Sequence, residues 1–306
     1  AGGGVMATGS YPGAAKNAAQ LMQDADEVFS LVPGKHKLSL QANMISDGAG
    51  VDLDTLSAEH FRSFIDWAKE RGLGLDINPS CAGHPMLNTG FTLSSPDKAI
   101  RDFWVEHFIR TSLIGEAFGR ETGIRCVTNY WIPDGYKDYP ADTYALDAGH
   151  FHPGEDISAK ISAVMMGCGE ILLHVTRPMR WDSDHVVSFD DSTRNIMREV
   201  VRGGFLSRVN LGTDYFDASV NRVAAGVLGM RNTQKALLAA LLEPADRLRQ
   251  AERAGDYTAR LVLTEECKIL PFAGIWAEFC ERNGVPAGAE WLDEVRRYER
   301  TVLADR

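Results

Sequence analysis

Short apolar, strand-like runs alternate with segments of helical periodicity through most of the first 215 residues. The strand-like runs lie at residues 37–43, 74–78, 126–132, 144–148, 171–175 and 208–212. Between them lie helical segments such as residues 58–71 and 97–111, the first with Phe61, Phe64, Ile65 and Ala68 at helical spacing. This alternation is typical of parallel βα units, so it predicts a parallel sheet covered by helices.

The number and spacing of these runs predict an incomplete (β/α)8 barrel. Six strands are two fewer than a closed parallel barrel needs. Residues 133–143 are too few to hold the helix that should join two parallel neighbours. We therefore expect one strand to precede Ala1 and another to be missing from this short connection. In the eight-stranded count these are strands 1 and 5.

The pattern changes near residue 218, beyond which apolar residues recur at about the helical period. The sequence thus predicts a β/α barrel domain over residues 1–217. It also predicts a helical extension over residues 218–306, packed on the barrel or used in assembly.

Composition narrows the possible functions. A formal net charge of −10, with both signs scattered along the chain, argues against a nucleic-acid-binding protein. The five cysteines include no CxxC pair, which favours a reducing, cytoplasmic setting over a disulfide scaffold or a zinc ribbon. No apolar run approaches the roughly 20 residues that span a bilayer. We expect a cytoplasmic protein that acts on a small molecule.

Histidine and aspartate residues cluster where three consecutive strands end. The motifs LDAGHFHP, LLHVTRPMRWDSDH and NLGTDYFDAS hold the candidates Asp147, His150, His174, Asp182, Asp184 and Asp214. The carboxyl ends of parallel strands converge on one face, where buried carboxylates would repel one another without a cation. Oxygen and nitrogen ligands without thiolate suit Mn²⁺, Mg²⁺, Co²⁺ or Zn²⁺. We predict one or two divalent ions and favour Mn²⁺.

A purely structural interpretation stays open for some of these residues. An aspartate at a strand end often caps a helix, and a lone histidine is often a satisfied core residue. This alternative applies most to Asp217, His152 and His185. It applies least to His150, Asp182 and Asp184 taken together, because three unrelated caps rarely follow one another on strand ends.

Two further segments hold candidate binding residues. His84, with Asn78, follows the strand at residues 74–78 and could shuttle protons, although a turn capped by Asn and Pro explains this segment equally well. Trp131 offers an apolar wall and Asp134 a hydrogen-bond partner for a ligand, although a tryptophan at a barrel rim often only packs.

Seven motifs spread over the chain resemble the L-rhamnose isomerase family: MATGSYPGAAKNAAQL, LGLDINPSCAGHP, NYWIPDG, LDAGHFHP, LLHVTRPMRWDSDHVV, FDASVNR and AGDYTARL. The resemblance implies a barrel of the xylose-isomerase-like type and a cytoplasmic homotetramer. It implies conversion of L-rhamnose to L-rhamnulose, a catalytic Mn²⁺ and a second, structural ion, Zn²⁺ or Mn²⁺.

The resemblance also implies residue roles. His150, Asp182 and Asp184 correspond to ligands of the catalytic Mn²⁺, with Asp184 counted as catalytic. Asp147, His174 and Asp214 look like ligands of the structural ion. His84 matches the histidine assigned to opening of the sugar ring, and Trp131 is expected to contact the sugar.

This chain departs from the family pattern in two places. The family has its first strand before the TGSYPG-like motif, and a long segment between the WIPDG-like and LDAGH-like motifs. That segment holds the fifth strand, a metal-binding Glu and an active-site Lys. Without it, the structural ion would lose one ligand here.

Alternative functions and mechanisms stay open. Metal polarisation favours a hydride shift, whereas an enediol route needs a carboxylate base over C2. The chain could isomerise another aldose, or it could be an inactive fragment that serves as a binding module. A metal-dependent hydrolase or nuclease would need a basic phosphate-binding cluster near the strand ends, which the sequence lacks.

Overall fold

The computed structural model is a mixed α/β fold with parallel strand pairs and many helices. It describes residues 13–43, 50–88, 90–134, 143–152, 154–178, 184–215 and 220–306. The chain divides into two compact units. The first comprises Ala1–Phe29, Gly34–Pro140 and Glu299–Arg306, and the second comprises Ser30–Pro33 and Ala141–Tyr298. The division expected at residues 217 and 218 stays a prediction.

The first unit is built around two parallel strands. Its elements are α1 (Ala18–Ser30), β1 (Lys37–Gln41), 3₁₀ turns at Leu53–Thr55 and Ala58–Phe61, α2 (Arg62–Arg71), β2 (Gly74–Asn78), a 3₁₀ turn at Pro85–Leu87 and α3 (Lys98–Thr122). β1 and β2 pair from Lys37 opposite Gly74 to Gln41 opposite Asn78. Asp97 caps the start of α3, since its side chain accepts a hydrogen bond from the Ala99 N–H.

Aromatic side chains fill the core of the first unit. Phe61, Phe64 and Phe118 are fully buried beside Leu40 and Leu75 of the two strands. A second cluster consists of Cys81, Phe103, Trp104 and Phe108, three of them on α3. The helical period predicted for residues 58–71 is therefore real, although its first turn is a 3₁₀ turn.

The strand predicted at residues 126–132 is wrong. This segment makes a single parallel bridge, between Thr128 and Ile77 of β2. The ladder stops there because the next donor, the Val127 N–H, bonds to the Asp76 carboxylate at 2.7 Å. A side chain thus replaces the backbone partner that a longer strand would need.

The second unit contains a three-stranded parallel sheet in the order β3–β4–β7. Its elements begin with β3 (Thr143–Asp147), a 3₁₀ turn at Ala148–His150, α4 (Ser158–Gly167), β4 (Glu170–Val175), β5 (Arg177–Pro178), β6 (Asp184–His185), α5 (Asp191–Arg202) and β7 (Val209–Thr213). Ile171, Leu173 and Val175 of β4 are buried against Ile161 and Met197 of the helices. Every second residue of β4 therefore faces the helical layer.

The chain is largely helical from Arg222 onward. The helices of this part are α6 (Arg222–Leu241), α7 (Ala245–Arg253), α8 (Tyr257–Glu266), α9 (Phe272–Arg282) and α10 (Trp291–Thr301). Arg231 of α6 is buried and donates hydrogen bonds to the carbonyl oxygens of Leu31, Pro286 and Ala287. In the described part of the chain, no helix combines the length and apolar character that a membrane crossing requires.

Asp134 is a structural clamp of the first unit. It is 3 % exposed, and its two oxygens accept hydrogen bonds from the backbone N–H and hydroxyl groups of Thr92 and Ser94. Burial alone would raise the pKa of this carboxyl, but the hydrogen bonds outweigh burial and lower it. The sequence predicts that Asp134 hydrogen-bonds a ligand. In the structure its carboxylate instead accepts hydrogen bonds within the protein, and both oxygens have partners there.

The clamp yields a stability prediction. Asp134→Asn should lower the free energy of unfolding by about 2 kcal/mol. The amide NH₂ group of asparagine would replace one acceptor oxygen and face N–H and O–H groups that are themselves donors. Since the folded pKa is depressed, the stabilisation is complete above the ordinary carboxyl pKa of about 3.9 and disappears as the pH falls below it. Urea unfolding of both proteins between pH 7 and pH 3 should show the difference shrinking with acid.

Asp66→Asn is the matched control, because the Asp66 side chain is 56 % exposed and its ion pair with Arg62 is 4.0 Å long. It should change stability by less than about 0.5 kcal/mol. A stable Asp134→Asn protein at pH 7 would show that the clamp contributes little.

Candidate metal centre

The register of the three-stranded sheet brings three acidic or histidine side chains to one edge. Asp147, the last residue of β3, lies opposite His174 of β4, and His174 lies opposite Gly212 of β7. Asp214 follows one residue after the end of β7. Because the three strands are parallel, their carboxyl ends meet at the same edge. His174 also alternates with the buried residues of β4, so its ring lies on the face opposite the helical layer.

Both carboxylates approach the same nitrogen of His174. Nδ1 lies 3.1 Å from Asp147 Oδ2 and 3.2 Å from Asp214 Oδ2. Each residue offers a ligand atom, and these atoms all lie within 4.8 Å of one another. The side chains of Asp147 and His174 are 15 % and 17 % exposed, while that of Asp214 is half exposed. The group therefore opens to solvent on the Asp214 side.

Local structure holds the first two residues in place. The other oxygen of Asp147, Oδ1, accepts a hydrogen bond from the Gly149 N–H at 2.8 Å, which fixes the carboxylate at the start of a 3₁₀ turn. Gly212 leaves room for the imidazole, since a Cβ atom there would lie 3.3 Å from His174 Cδ2. Even an alanine at this position would press on the ring.

The electrostatics of the group favour a divalent cation. The pKa of Asp214 is raised, first by the partial burial of its carboxylate and then by repulsion from Asp147, while attraction to His174 opposes the rise. Two carboxylates around one imidazole nitrogen carry more negative charge than a single imidazolium can balance. Two oxygen ligands and one nitrogen ligand suit Mn²⁺ or Zn²⁺, so the residues fit the predicted ion.

The second predicted metal set is described only in part. His150 Nε2 lies 3.7 Å from Asp147 Oδ2, and its side chain is 46 % exposed. Asp182 lies outside the described residues, as does Asp217, and of Asp184 only the backbone is described, as the first residue of β6. The role of His150, Asp182 and Asp184 as ligands of one ion stays a prediction.

The two other histidines of this region have local contacts. His152 Nδ1 accepts a hydrogen bond from the Gly154 N–H at 3.1 Å, so its ring helps to form a turn. The backbone carbonyl of His185 accepts a hydrogen bond from the Thr176 hydroxyl at 3.0 Å. This contact agrees with a purely structural role for His152, which the sequence left open.

The candidates of the first unit differ in their surroundings. The His84 side chain is 17 % exposed and packs against Phe103 and Trp104, while Trp131 is 46 % exposed. Asp52, which no sequence motif indicated, lies beside His84, with its Oδ1 2.9 Å from His84 Nε2. Its one sequence signal is its place just before a 3₁₀ turn, a frequent position for a capping aspartate.

Comparison with known proteins identifies the family. A family model described as L-rhamnose isomerase (RhaA) matches residues 1–146 and 143–306. An L-rhamnose isomerase of Listeria innocua serovar 6a is 44% identical over 362 residues, covering 99% of this chain and 86% of that protein. One of Salmonella newport is 43% identical with the same coverage. The chain belongs to the L-rhamnose isomerase family. The resemblance inferred from the motifs is confirmed.

The relatives of this family carry residues that this chain lacks. The compared stretch of 362 residues exceeds the 306 residues of this chain by 56. The family match also divides at residues 143–146, just after the connection that is too short for a helix. The absence of a fifth strand from this connection stays a prediction.

The geometry of the group yields a metal-binding prediction. Asp214→Asn should lower the number of tightly bound divalent ions by one per chain, or weaken one site at least tenfold, because it removes a charged ligand. Titration calorimetry of the chelator-treated protein with Mn²⁺ and with Zn²⁺ measures both quantities.

Asp246→Asn is the matched control, because the Asp246 side chain is 99 % exposed and far from the strand ends in sequence. It should bind both ions like the unmodified chain. Unchanged affinity and stoichiometry in Asp214→Asn for both ions would remove Asp214 from the ligand set.

Proposed function

We propose that this chain catalyses the metal-dependent isomerisation of L-rhamnose to L-rhamnulose. Membership of the L-rhamnose isomerase family over 99% of the chain is the observation that carries this proposal. The Asp147, His174 and Asp214 group supports it, because these residues form a divalent-ion donor set where the strands end. An isomerase of another aldose would share these features, so the preferred sugar has to be determined by an activity assay.

We assign the metal ligands as the family resemblance implies. His150, Asp182 and Asp184 would hold the catalytic Mn²⁺, and Asp147, His174 and Asp214 would hold a structural ion, Mn²⁺ or Zn²⁺. A bound divalent ion supplies Lewis-acid polarisation of the sugar oxygens. The carboxylates and imidazoles of the chain would hold this ion.

The reaction has two stages. In ring opening, the O1 proton leaves, the C1=O1 bond forms, the C1–O5 bond breaks and O5 gains a proton. His84 would exchange these protons, since imidazole gains and loses protons near neutral pH. In isomerisation, the C2 hydrogen moves to C1 with its electron pair while the O2 proton passes to O1. We place Trp131 against the apolar face of the sugar.

The remaining family features complete the proposal. The strands β3, β4 and β7 would be part of a (β/α)8 barrel of the xylose-isomerase-like type, whose first and fifth strands lie in segments absent from this sequence. The 1–217 barrel and 218–306 extension would be its domains. The protein would act as a cytoplasmic homotetramer.

Removal of metal tests the proposed function. Chelator treatment should abolish conversion of L-rhamnose to L-rhamnulose, and added Mn²⁺ should restore it, because the Lewis acid is lost and regained. Ketose formation is the measurement. Tight Mn²⁺ binding without turnover of L-rhamnose would indicate a different aldose, and the absence of both would indicate an inactive fragment.

Substitution of one proposed catalytic ligand separates chemistry from folding. Asp184→Asn should lower kcat at least about 100-fold while the unfolding midpoint changes little, because the loss falls on electrostatic stabilisation of the reaction. Asp191→Asn, at an 85 % exposed side chain of α5, is the control and should keep full activity. Retained turnover in Asp184→Asn would refute its role as a ligand.

A further inference from the structure

The His84 ring is held on several sides within the first unit. It stacks on Phe103 with ring centroids 4.7 Å apart and meets the edge of Trp104 at 5.5 Å. Its Nδ1 accepts a hydrogen bond from the Met86 N–H at 3.2 Å, which begins the 3₁₀ turn at Pro85–Leu87. The ring plane is therefore fixed by two aromatic side chains of one helix.

These contacts determine which nitrogen of His84 carries the proton. Nδ1 accepts a backbone N–H, so in the neutral ring the proton is on Nε2. Nε2 lies 2.9 Å from Asp52 Oδ1 and donates to it. The Asp52 carboxylate is the charged group that selects this tautomer, just as hydrogen bonds to one ring nitrogen set the state of the other in many sites.

Asp52 is itself held in place. Its Oδ1 also accepts a hydrogen bond from the Leu53 N–H at 2.7 Å, which makes it the cap of the 3₁₀ turn at Leu53–Thr55. The Leu53 carbonyl in turn accepts a hydrogen bond from Nδ1 of His107 at 3.0 Å. Burial lowers the pKa of His107, so its ring is neutral at pH 7. His107 lies on α3, the same helix as Phe103 and Trp104.

We propose that Asp52 is the positioning residue for His84 in opening of the sugar ring. This inference rests on the proton-exchange role proposed for His84. Asp52 holds the proton on Nε2 and keeps the imidazole in one orientation, while α3 braces both partners through aromatic contacts and through Leu53. The Asp52 side chain is 58 % exposed, so its carboxylate stays open to solvent while it is paired with His84.

Two substitutions of Asp52 test this role. Asp52→Asn keeps a neutral acceptor for Leu53 and His84, whereas Asp52→Ala removes it. We expect kcat/KM for L-rhamnose to fall about tenfold in the first and further in the second. This is less than the roughly 100-fold or more that a general acid–base group contributes, because His84 itself is kept. Asp52→Glu should recover part of the loss. Asp66→Asn, at a similarly exposed aspartate of the same unit, should match the unmodified chain.

An isotope effect separates ring opening from general damage. With L-rhamnose deuterated at C2, breaking the C2–H bond slows the reaction only if that step limits the rate. In the Mn²⁺-loaded Asp52→Asn and Asp52→Ala proteins, the isotope effect on kcat/KM should move toward 1, because ring opening becomes limiting. If it already equals 1 in the unmodified protein, it should stay at 1 while kcat/KM falls.

Other results overturn the proposal. Unchanged kcat/KM in both Asp52 variants would show that the pairing has no role. A lower kcat/KM with an isotope effect that keeps its original value above 1, or rises, would show a merely structural effect. His84→Gln is measured in parallel. If it keeps full activity, the proposed role of His84 is itself wrong. If only His84→Gln loses activity, His84 acts without Asp52 and the proposal for Asp52 is wrong.

Discussion

The parallel register of β3, β4 and β7 is the constraint on which the candidate metal centre depends. A strand alternates its side chains between two faces, so a shift of one residue would turn His174 into the helical core and bring Leu173 to the open face. The buried residues Ile171, Leu173 and Val175 prevent such a shift, because their contacts with the helices would be lost. Hydrophobic packing on one face thus sets the positions of charged groups on the other.

Most of the candidate metal centre could be predicted from the sequence because its residues follow a local rule. Asp147, His174 and Asp214 each lie at or next to the end of a strand, and parallel strand ends converge whatever the loops do. The pairing of Asp52 with His84 obeys no such rule. It joins two turns, and this contact depends on how both turns pack against α3 rather than on periodicity.

The two errors in the first unit have a common cause. Residues 126–132 have the apolar pattern of a strand, and Asp134 has the position of a ligand-binding residue beyond one. In each case a carboxylate accepts hydrogen bonds from backbone N–H groups: the partly buried Asp76 from Val127, and the buried Asp134 from Thr92 and Ser94. Patterns of apolar residues do not show which acidic side chain will replace a backbone acceptor, because that choice is made by tertiary contacts.

The buried guanidinium of Arg231 has a consequence for the end of the chain. Its acceptors are carbonyl groups at Leu31 and at residues 286 and 287, so segments some 200 and 55 positions away in the sequence share one cation. A buried positive charge that loses its acceptors costs several kcal/mol. A chain truncated before residue 286 would lack two of these acceptors, so α6 could not pack as it does here. Residues 286 and 287 therefore belong to the same packed unit as the middle of α6.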